Sequence, residues 1–348
     1  MKIGIGIMAY NEERNIRAAL ESLSQQDLFA LPANRGASIE ISIVANGCKD
    51  RTAEVAGRAC EEFFAGRQGI VARADVIEKA GKSNAWNEYV HRLADQAADF
   101  LILMDGDIKL VGNSTLRLML EKLEASPEAN VAVDVILKDI AFKENKTAFE
   151  KMSLATSELM RAGPPKIAGS LYIARGATLR KIWMPVGLLV EDGFLKAMLT
   201  TDNFAKPENP ARIVRADDAA HIFEAERKLA RIYKHEKRLA NGTAQNIILF
   251  DFLRAEIAAG RGTDGGEIVR KLNAEKPDWC QELTRAEIAK RGWRALPVEL
   301  ISLPFRQLKS LSGSRRIRRF PGAALRSVFN AAALIGAYFD LKNGQLKW

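Results

Sequence analysis

Four apolar segments in the first 107 residues alternate with segments of helical pattern. The predicted strands are Lys2–Ala9, Ile39–Ala45, Ile70–Ile77 and Phe100–Met104. The segments between them repeat apolar residues three or four positions apart, as amphipathic helices do; the first example is Ile16, Leu20 and Leu23. Strands joined by helices form parallel sheets with right-handed crossovers. The pattern therefore predicts an α/β fold with a mainly parallel central sheet and flanking helices.

The fourth predicted strand ends in two acids separated by one glycine. Phe100–Met104 is continuously apolar, as in strands buried on both faces, and Asp105-Gly106-Asp107 follows directly. Open α/β sheets bind their ligands at the carboxyl ends of the strands. Two carboxylates there can share a divalent cation, Mn²⁺ or Mg²⁺, that neutralises a diphosphate. An acidic turn that only ends the strand is the alternative, because Asp-Gly is common in turns.

The basic residues are concentrated near the carboxyl terminus. The chain has 348 residues and a formal net charge of +9. Between positions 290 and 319 a single acid, Glu299, accompanies nine basic residues, which are Lys290, Arg291, Arg294, Arg306, Lys309, Arg315, Arg316, Arg318 and Arg319. Such a local basic block predicts an anionic partner for the tail and argues against a protein that coats nucleic acid along its whole surface.

Cysteine usage and hydropathy indicate the compartment. The three cysteines, Cys48, Cys60 and Cys280, are odd in number and lack metal-ligand spacing, which predicts a reducing environment without disulfides. The sequence starts with a strand pattern instead of a signal peptide, and no uninterrupted apolar run reaches transmembrane length. We therefore expect a cytoplasmic protein, with the inner face of the cytoplasmic membrane as a candidate docking surface.

Two glycine-bearing segments resemble phosphate-binding loops, but each lacks a required glycine. Gly4 and Gly6 would start a G-x-G-x-x-G dinucleotide pattern, but its last position is Ala9. Gly81-Lys82-Ser83 resembles the end of a P-loop, but the first glycine of that motif would fall at Val76. Neither motif is therefore predicted.

The order of several short motifs resembles that of the family-2 glycosyltransferases, which have the GT-A fold. The resemblance covers Lys2 to Gly242. The family's base-binding turn resembles Ala9-Tyr10-Asn11-Glu12, and its Asp-Asp-Gly-Ser-Thr-Asp loop resembles Ala45-Asn46-Gly47-Cys48-Lys49-Asp50. Its Gly-Lys-…-Leu-Asn segment resembles Gly81-Lys82-Ser83-Asn84-Ala85-Trp86-Asn87, and its D-x-D metal motif resembles Asp105-Gly106-Asp107. Its acceptor-side loop resembles Gly169-Ser170, and its general-base pair resembles Glu191-Asp192.

The resemblance implies catalytic and metal-binding roles. Asp192 would be the general base that takes the proton of the acceptor hydroxyl, with Glu191 orienting it or contacting the acceptor. Asp107 would be the primary ligand of a divalent cation, Mn²⁺ or Mg²⁺, and Asp105 a second ligand. His221 is a candidate third ligand, because GT-A enzymes often use a later histidine. A buried or surface histidine without a metal is the alternative.

The resemblance also implies a donor-binding surface. Tyr10 would stack on the nucleotide base, Asn46 would hydrogen-bond the edge of the base, and Lys82 would meet a phosphate or the ribose. The full set of implied substrate-binding residues is Ala9, Tyr10, Asn11, Glu12, Asn46, Lys82, Asp105, Gly106, Gly169 and Ser170.

Two departures from the family pattern limit what the resemblance implies. Asn46 replaces the second aspartate of the base-binding loop, so a strict preference for uracil is not implied. The Gln-x-x-Arg-Trp signature of processive polysaccharide synthases is absent, and His235-Glu236-Lys237-Arg238-Leu239 stands in a similar place. A processive synthase is therefore not expected.

The predicted function is metal-dependent, inverting transfer of a sugar from a nucleotide diphosphate to a hydroxyl of a glycan, lipid-linked or small-molecule acceptor. Residues 1–242 are predicted to form the GT-A domain, and residues 243–348 a helical extension after a linker near Gly260–Gly266. Two alternatives stay open. The first is a nucleotidyltransferase, which would usually carry a Gly-rich, basic loop after the first strand; Ala9-Tyr10-Asn11-Glu12 stands there instead and argues against it. The second is a non-catalytic nucleotide-sugar or membrane-binding protein. No nucleic acid partner is expected.

The segment Pro321–Leu341, after the basic block, is mostly apolar. As a helix it would place six apolar residues on one face, namely Leu325, Val328, Phe329, Ala332, Ile335 and Phe339. An apolar helix face beside basic residues predicts docking of residues 290–341 on an anionic membrane surface. Packing of this helix on the catalytic domain is the alternative.

Overall fold

The computed structural model describes residues 1–31, 36–161, 163–226, 228–309 and 313–344; within these ranges the side chains of Arg315 and Arg318, among others, lie outside the description. The strands of the described residues form one eight-stranded sheet. They are β1 (Lys2–Ala9), β2 (Ser38–Asn46), β3 (Ile70–Ile77), β4 (Phe100–Asp105), β5 (Lys109–Leu110), β6 (Val131–Lys138), β7 (Leu171–Arg175) and β8 (Ile213–Phe223).

The strand order across the sheet is β3-β2-β1-β4-β7-β6-β8-β5. Strands β3, β2, β1 and β4 are parallel neighbours, β7 runs antiparallel to β4 and β6, and β6 is parallel to β8. The chain moves outward from β1 to β3 and then returns to the other side of β1, so the order reverses between β1 and β4. This reversal is the switch point at which α/β sheets open a crevice for ligands. The predicted α/β fold with a mainly parallel sheet is confirmed.

Helices cover both faces of the sheet and form the carboxyl-terminal part of the chain. They are α1 (Ile16–Ser24), α2 (Thr52–Phe64), α3 (Lys82–Glu88), α4 (Thr115–Glu124), α5 (Ala148–Arg161), α6 (Gly176–Leu179), α7 (Glu191–Thr201), α8 (Leu229–Ala258), α9 (Gly265–Glu275), α10 (Trp279–Arg291), α11 (Glu299–Leu308) and α12 (Gly313–Asn343). Short 3-10 turns occupy Asp27–Ala30, Asp139–Phe142, Pro210–Arg212 and Gly292–Ala295.

The two glycines of β1 make room for a buried aromatic ring. A Cβ atom on Gly6 would lie 2.4 Å from the ring of Tyr89, and one on Gly4 would lie 2.8 Å from the Tyr89 hydroxyl. Tyr89 lies in a π-helical turn, Tyr89–Leu93, that continues α3. The sequence pattern predicts one helix over Ala85–Ala97, but the observed helix starts earlier and ends at Leu93. The β1 glycines therefore serve packing of this segment on the sheet.

Helix α8 is continuous where the sequence predicts two helices separated at Asn241-Gly242. Gly242 lies inside the helix, and Val190 packs so closely against it that a Cβ atom there would come within 2.2 Å of the Val190 side chain. The glycine thus permits a close contact between α8 and the loop before α7, and it does not end the helix. The predicted domain boundary after residue 242 lies within α8, so one helix joins the two proposed parts.

The predicted linker Gly260–Gly266 is packed against residues of the first 242 positions. The Gly265 N–H donates to the Asn203 carbonyl at 2.7 Å, and a Cβ atom on Gly266 would lie 2.0 Å from the Lys181 carbonyl oxygen. Helix α9 starts at Gly265. These glycines allow backbone-to-backbone packing, which a sequence pattern cannot distinguish from a loose linker.

Strand β8 is longer than predicted. The sequence predicts a strand over Ala211–Arg215 and a helix from Phe223, whereas the strand runs to Phe223 and α8 begins at Leu229. Its pairing with β6 is interrupted, because Val133 pairs with Arg215 and Val135 with Ala220. This irregularity carries Asp134, and the longer strand places His221 inside the sheet.

Helix α12 has a buried face and an exposed face, and both are apolar. The buried face packs on α8 and the residues around α11 through Ala333, Leu334, Ala337 and Leu341. The exposed face leaves Leu325, Val328, Ile335 and Phe339 between 50% and 66% accessible. The helical segment Arg319–Asn343 is, by length and composition, apolar enough to cross a membrane, although the sequence predicted no such segment.

Candidate active site

A cavity of about 410 Å³ opens at the carboxyl ends of β1, β2 and β4, at the switch point of the sheet. Helices α7 and α8 close it from the other side. The lining residues are Met8, Tyr10, Glu12, Asn46, Ala80, Gly81, Lys82, Asp105, Gly106, Asp107, Ala168, Leu189, Val190, Glu191, Asp192, His235, Arg238 and Leu239. The cavity thus brings together most of the residues that the sequence predicts as a site.

The two acids of the D-x-D motif differ in their surroundings. Asp105 is the last residue of β4 and is half-buried, whereas Asp107 is exposed. Gly106 between them is buried, and its N–H donates to the Met8 carbonyl at 2.9 Å. A Cβ atom on Gly106 would press on Ala9 and Ile16 at 3.2 Å. A small residue at this position therefore lets the turn lie flat on β1 and α1, with Asp107 facing the cavity.

Lys82, at the start of α3, joins three parts of the site. Its Nζ lies 2.7 Å from Oδ1 of Asp105, 2.8 Å from Oε1 of Glu191 and 3.2 Å from the Gly169 carbonyl oxygen. An ammonium group has three N–H donors, and these three acceptors can take all of them. The structure therefore gives Lys82 three protein partners at the cavity wall, and its contact with a phosphate or the ribose stays a prediction.

The pKa values of this network follow from burial and from the lysine charge. Burial disfavours the ammonium of Lys82, but the Asp105 and Glu191 carboxylates outweigh it and raise its pKa. Burial raises the pKa of Asp105 to about 6 against the opposing effect of Lys82. For Glu191, Lys82 outweighs burial, so the pKa of this carboxyl is lowered. Glu191 is therefore the more firmly ionised partner of Lys82.

Glu191 and Asp192 occupy the first turn of α7, where the helix dipole favours negative charge. The helix is capped by Val190, so neither acid serves as the N-cap, and Asp192 Oδ1 accepts the Gly193 N–H at 2.7 Å. Burial and the neighbouring Glu191 charge raise the pKa of Asp192. A carboxylate with a raised pKa is a better proton acceptor near neutral pH than an exposed aspartate.

The turn after β1 is held in place by the loop after β2. Asn11 adopts a left-handed conformation, with φ of 57°, and its side-chain oxygen accepts the Lys49 N–H at 2.8 Å. The Glu12 N–H donates to Thr52 Oγ1 at 2.7 Å, and burial raises the pKa of the Glu12 carboxyl. Tyr10 is 46% exposed at the cavity wall. Its ring is accessible for stacking on a base.

Asn46 lines the cavity and also bridges two loops. Its side-chain oxygen accepts the Gly81 N–H at 2.8 Å, and its amide nitrogen lies 3.5 Å from the Ala9 carbonyl. The oxygen is thus used inside the protein, which the sequence did not predict. The amide nitrogen has a second N–H, so a contact with the base edge through that group stays a prediction.

The predicted acceptor-side loop, Gly169-Ser170, lies next to both acidic pairs. The Ser170 carbonyl accepts the Asp105 N–H at 2.9 Å. Gly169 has φ of +73°, and a Cβ atom there would lie 2.9 Å from Oε1 of Glu191. Glycine is required at this position both for the positive φ and for the approach of the glutamate. Neither residue is among those lining the cavity, so the loop contacts Asp105, Lys82 and Glu191 from behind the cavity wall, and its contact with an acceptor stays a prediction.

The structure contradicts the predicted metal-ligand role of His221. Its side chain is fully buried in β8, with Nδ1 2.8 Å from Oδ2 of Asp134 and Nε2 3.0 Å from Oγ of Ser170. Both ring nitrogens are therefore engaged within the protein. The sequence placed His221 after the predicted strand Ala211–Arg215, because the full length of β8 depends on its pairing with β6.

Two residues of α8, His235 and Arg238, line the cavity opposite the D-x-D motif. Burial lowers the pKa of His235. Arg238 lines the same cavity as Glu191 and the predicted general base Asp192. In the sequence, Arg238 is the one residue that this segment shares with the Gln-x-x-Arg-Trp signature, and that match alone predicted no role for it.

The acids of the cavity fit a divalent cation bound together with a diphosphate. No group of three or more His, Cys, Asp or Glu side chains suited to a metal occurs in the described part of the chain. Mg²⁺ typically binds one or two carboxylates plus substrate phosphates, without a complete protein cage. Asp107 is exposed to the cavity, whereas both oxygens of Asp105 lie within 2.9 Å of Lys82 Nζ. Asp107 is thus the better placed ligand.

Comparison with known families gives one match. Residues 5–176 match the family model described as glycosyl transferase family 2. This range contains the D-x-D motif and the Gly169-Ser170 loop but ends before Glu191-Asp192. No curated protein sequence matches the chain.

Solved structures resemble the chain at low identity. Glucosyl-3-phosphoglycerate synthase from Mycobacterium tuberculosis, in complex with Mn²⁺, uridine-diphosphate-glucose and phosphoglyceric acid, is 16% identical, with a TM-score of 0.44 over 71% of this chain and 77% of that one. TarS 1-349 of S. aureus, in complex with UDP, is also 16% identical, with a TM-score of 0.45 over 99% of this chain and 92% of that one.

Proposed function

We propose that this chain, of which residues 5–176 belong to glycosyl transferase family 2, catalyses a metal-dependent, inverting transfer of a sugar from a nucleotide diphosphate. The anomeric carbon–oxygen bond to the diphosphate breaks, and a bond to the acceptor oxygen forms. The acceptor proton moves to Asp192, and the nucleoside diphosphate leaves. The acceptor is a hydroxyl of a glycan, a lipid-linked sugar or a small molecule.

The observation that carries this proposal is the position of Lys82. It contacts Asp105 of the donor-side D-x-D motif and Glu191 of the acceptor-side acidic pair within one cavity. Donor diphosphate and acceptor hydroxyl must meet at one point for direct displacement. The lysine holds the two acidic motifs, which are far apart in sequence, at such a point.

Each motif then has a chemical role in the proposal. Asp192, with its raised pKa, accepts the proton of the attacking hydroxyl, and Glu191 stays ionised beside Lys82. Asp107, with a contribution from Asp105, would hold Mn²⁺ or Mg²⁺, which supplies Lewis-acid neutralisation of the leaving diphosphate. Arg238 faces the same cavity and adds positive charge where the diphosphate charge develops. Tyr10 would stack on the base.

The test is product analysis with a panel of nucleotide sugars in the presence of Mn²⁺ or Mg²⁺. Glycosyl transfer, or slow hydrolysis without an acceptor, releases a nucleoside diphosphate. A nucleotidyltransferase would instead consume a nucleoside triphosphate and a sugar phosphate and release pyrophosphate. Pyrophosphate release would support that alternative, and binding of nucleotide sugars without any product would support a non-catalytic protein.

Lys82→Met is expected to destabilise the protein and to inactivate it. The substitution leaves Asp105 and Glu191 close together without their shared counter-charge. Removing one partner of a buried ion pair costs about 3–5 kcal/mol of unfolding free energy, and the lower end is expected here because the Lys82 side chain is 20% exposed. Denaturant unfolding measures the loss. Lys122→Met, at an exposed position of α4, is the control and should leave both stability and activity unchanged. An active, equally stable Lys82→Met variant would contradict the assigned role.

We further propose that α12 docks the enzyme on an anionic membrane surface. Val328 and Ile335 are 66% and 52% exposed on the apolar face. Arg316 is exposed near the start of the helix, and Arg319 is half-buried beside Glu158. Apolar side chains beside basic ones favour the headgroup layer of anionic lipids. Docking there would place the enzyme near a lipid-linked acceptor at the cytoplasmic membrane.

The double variant Val328→Glu and Ile335→Glu should reduce co-sedimentation with phosphatidylglycerol vesicles at low salt by at least about tenfold, because it removes apolar contacts and adds negative charge. Activity on a soluble acceptor should be unchanged. Val71→Glu, at a similarly exposed valine of β3, is the matched control and should bind vesicles like the wild type. Membrane docking would be refuted if the wild type, the double variant and Val71→Glu bound vesicles equally, or if the wild type did not bind vesicles.

A further inference from the structure

A buried aspartate–histidine pair lies directly behind the active site. Asp134 of β6 and His221 of β8 have side chains that are 1% and 0% exposed. Oδ2 of Asp134 is 2.8 Å from Nδ1 of His221, and Nε2 of His221 is 3.0 Å from Oγ of Ser170. Asp134 sits at the irregularity in the pairing of β6 with β8, and such irregularities re-aim side chains. Burial of two ionisable groups is costly unless they are paired, so the three residues act as one hydrogen-bonded chain.

The direction of the hydrogen bonds follows from the carboxylate. A carboxylate accepts, so Nδ1 of His221 donates to Asp134. In the neutral imidazole this leaves Nε2 as an acceptor, and the Ser170 hydroxyl donates to it. The Ser170 side chain is thereby held in one orientation by a partner that solvent cannot reach.

The backbone of the same segment contacts the catalytic network. The Ser170 carbonyl accepts the Asp105 N–H, and the Gly169 carbonyl lies 3.2 Å from Lys82 Nζ. Glu191 Oε1 lies so close that a side chain on Gly169 would collide with it. Gly169 and Ser170 together therefore contact Asp105, Lys82 and Glu191.

We propose that Asp134 and His221 are positioning residues for the transfer reaction. They hold Ser170, and through it the Gly169-Ser170 segment, in the place where Lys82 bridges Asp105 and Glu191. They act through Ser170 and touch neither substrate nor metal. The inference rests on the proposed function and deepens it. A displacement of about 1 Å of a catalytic group can cost about 10²-fold in rate, so loss of this support should lower turnover.

Three variants with small changes in volume test the chain. Ser170→Ala removes the hydroxyl, Asp134→Asn removes the carboxylate, and Ser170→Thr keeps a hydroxyl. The first two should lower kcat by about tenfold or more with little change in the KM of the donor, and Ser170→Thr should restore most of the loss. The acid limb of kcat/KM should move to higher pH in the first two, because a displaced Lys82 no longer lowers the pKa of Asp192 and Glu191.

His91→Gln is the control for loss of a largely buried histidine. Nε2 of His91 lies 2.8 Å from the Ile182 carbonyl oxygen, and its ring stacks on Trp183 at 3.7 Å, away from the cavity. This variant should lower the melting temperature without changing kcat or the pH profile. If Ser170→Ala or Asp134→Asn only destabilised the fold, it would behave like His91→Gln, with a lower melting temperature and an unchanged kcat and pH profile.

Two further measurements separate the possible failures. Mn²⁺ affinity in the presence of a nucleoside diphosphate, measured by calorimetry, should be unchanged in folded Ser170→Ala and His221→Gln; loss of Mn²⁺ binding in His221→Gln would restore the metal-ligand role and overturn the proposal. Unchanged kcat and pH profile in Ser170→Ala would also overturn it.

The ¹⁵N chemical shifts of the His221 ring should change in Ser170→Ala, and unchanged shifts would refute the hydrogen-bonded chain. A wild-type protein that transfers no sugar would refute the proposed function itself.

Discussion

Asp192→Asn should reduce turnover by about 10²–10⁴-fold while nucleotide-sugar binding survives, because positioned general bases contribute rate factors of this size. The asparagine keeps the shape of the side chain and can still accept the Gly193 N–H, but it cannot take a proton from the acceptor hydroxyl. Steady-state kinetics with a fixed donor and acceptor measure kcat, and calorimetry measures donor affinity. Asp202→Asn, at the other end of α7, is the matched control and should behave like the wild type.

The pH dependence gives an independent check on Asp192. Burial and the Glu191 charge raise the pKa of Asp192, so the base is protonated, and therefore inactive, over a wider acidic range than an ordinary aspartate. The wild-type kcat/KM should fall as pH decreases through that raised pKa, and the fall should be absent from the residual activity of Asp192→Asn. Protonation of Asp105, with a pKa of about 6, should add to the same limb. Wild-type turnover by the Asn variant would place the base elsewhere.

Asp107→Ala should reduce kcat/KM by about 10³-fold or more, since the neutralisation of a leaving diphosphate by a metal is worth several kcal/mol and each 1.36 kcal/mol is a factor of ten. Asp107 is exposed, so the melting temperature should hardly change. Excess EDTA should abolish wild-type activity, and added Mn²⁺ or Mg²⁺ should restore it in the wild type but not in the variant.

The control for this substitution is Asp217→Ala, at an exposed aspartate of β8 that pairs with Arg215. It should retain activity and the same response to EDTA. Full wild-type activity in excess EDTA would show that the D-x-D acids serve a metal-free site. In that case Lys82 and Arg238 would be the positive charges left to face the diphosphate.

Much of the fold could be predicted because its signals are local. The apolar run Phe100–Met104 predicts a buried strand from its own composition, and Asp105 and Asp107 reach the sheet edge because they follow it directly. The order of short motifs from Ala9 to Asp192 was sufficient to indicate the glycosyltransferase family. These properties depend on residues that are neighbours in the chain.

Errors arose where glycines and strand ends depend on distant partners. The sequence predicts a helix break at Gly242, but this residue lies inside α8, where Val190 packs closely against it. Gly265 and Gly266 read as a linker, but they pack on Asn203 and Lys181. A glycine pattern reports conformational freedom, and it does not report whether another part of the chain fills the space.

The sequence by itself determined the alternation of strands and helices in the first 107 residues, the acidic motifs at the ends of their elements, and the family resemblance, because each follows from periodicity or short spacing. The tertiary structure decided what the side chains do. It engages Lys82 with Asp105 and Gly169, which are 23 and 87 positions away, and buries His221 against Asp134. It also leaves one apolar face of α12 exposed. A side chain's partners and its access to solvent are set by which segments meet in space, and no local pattern contains that information.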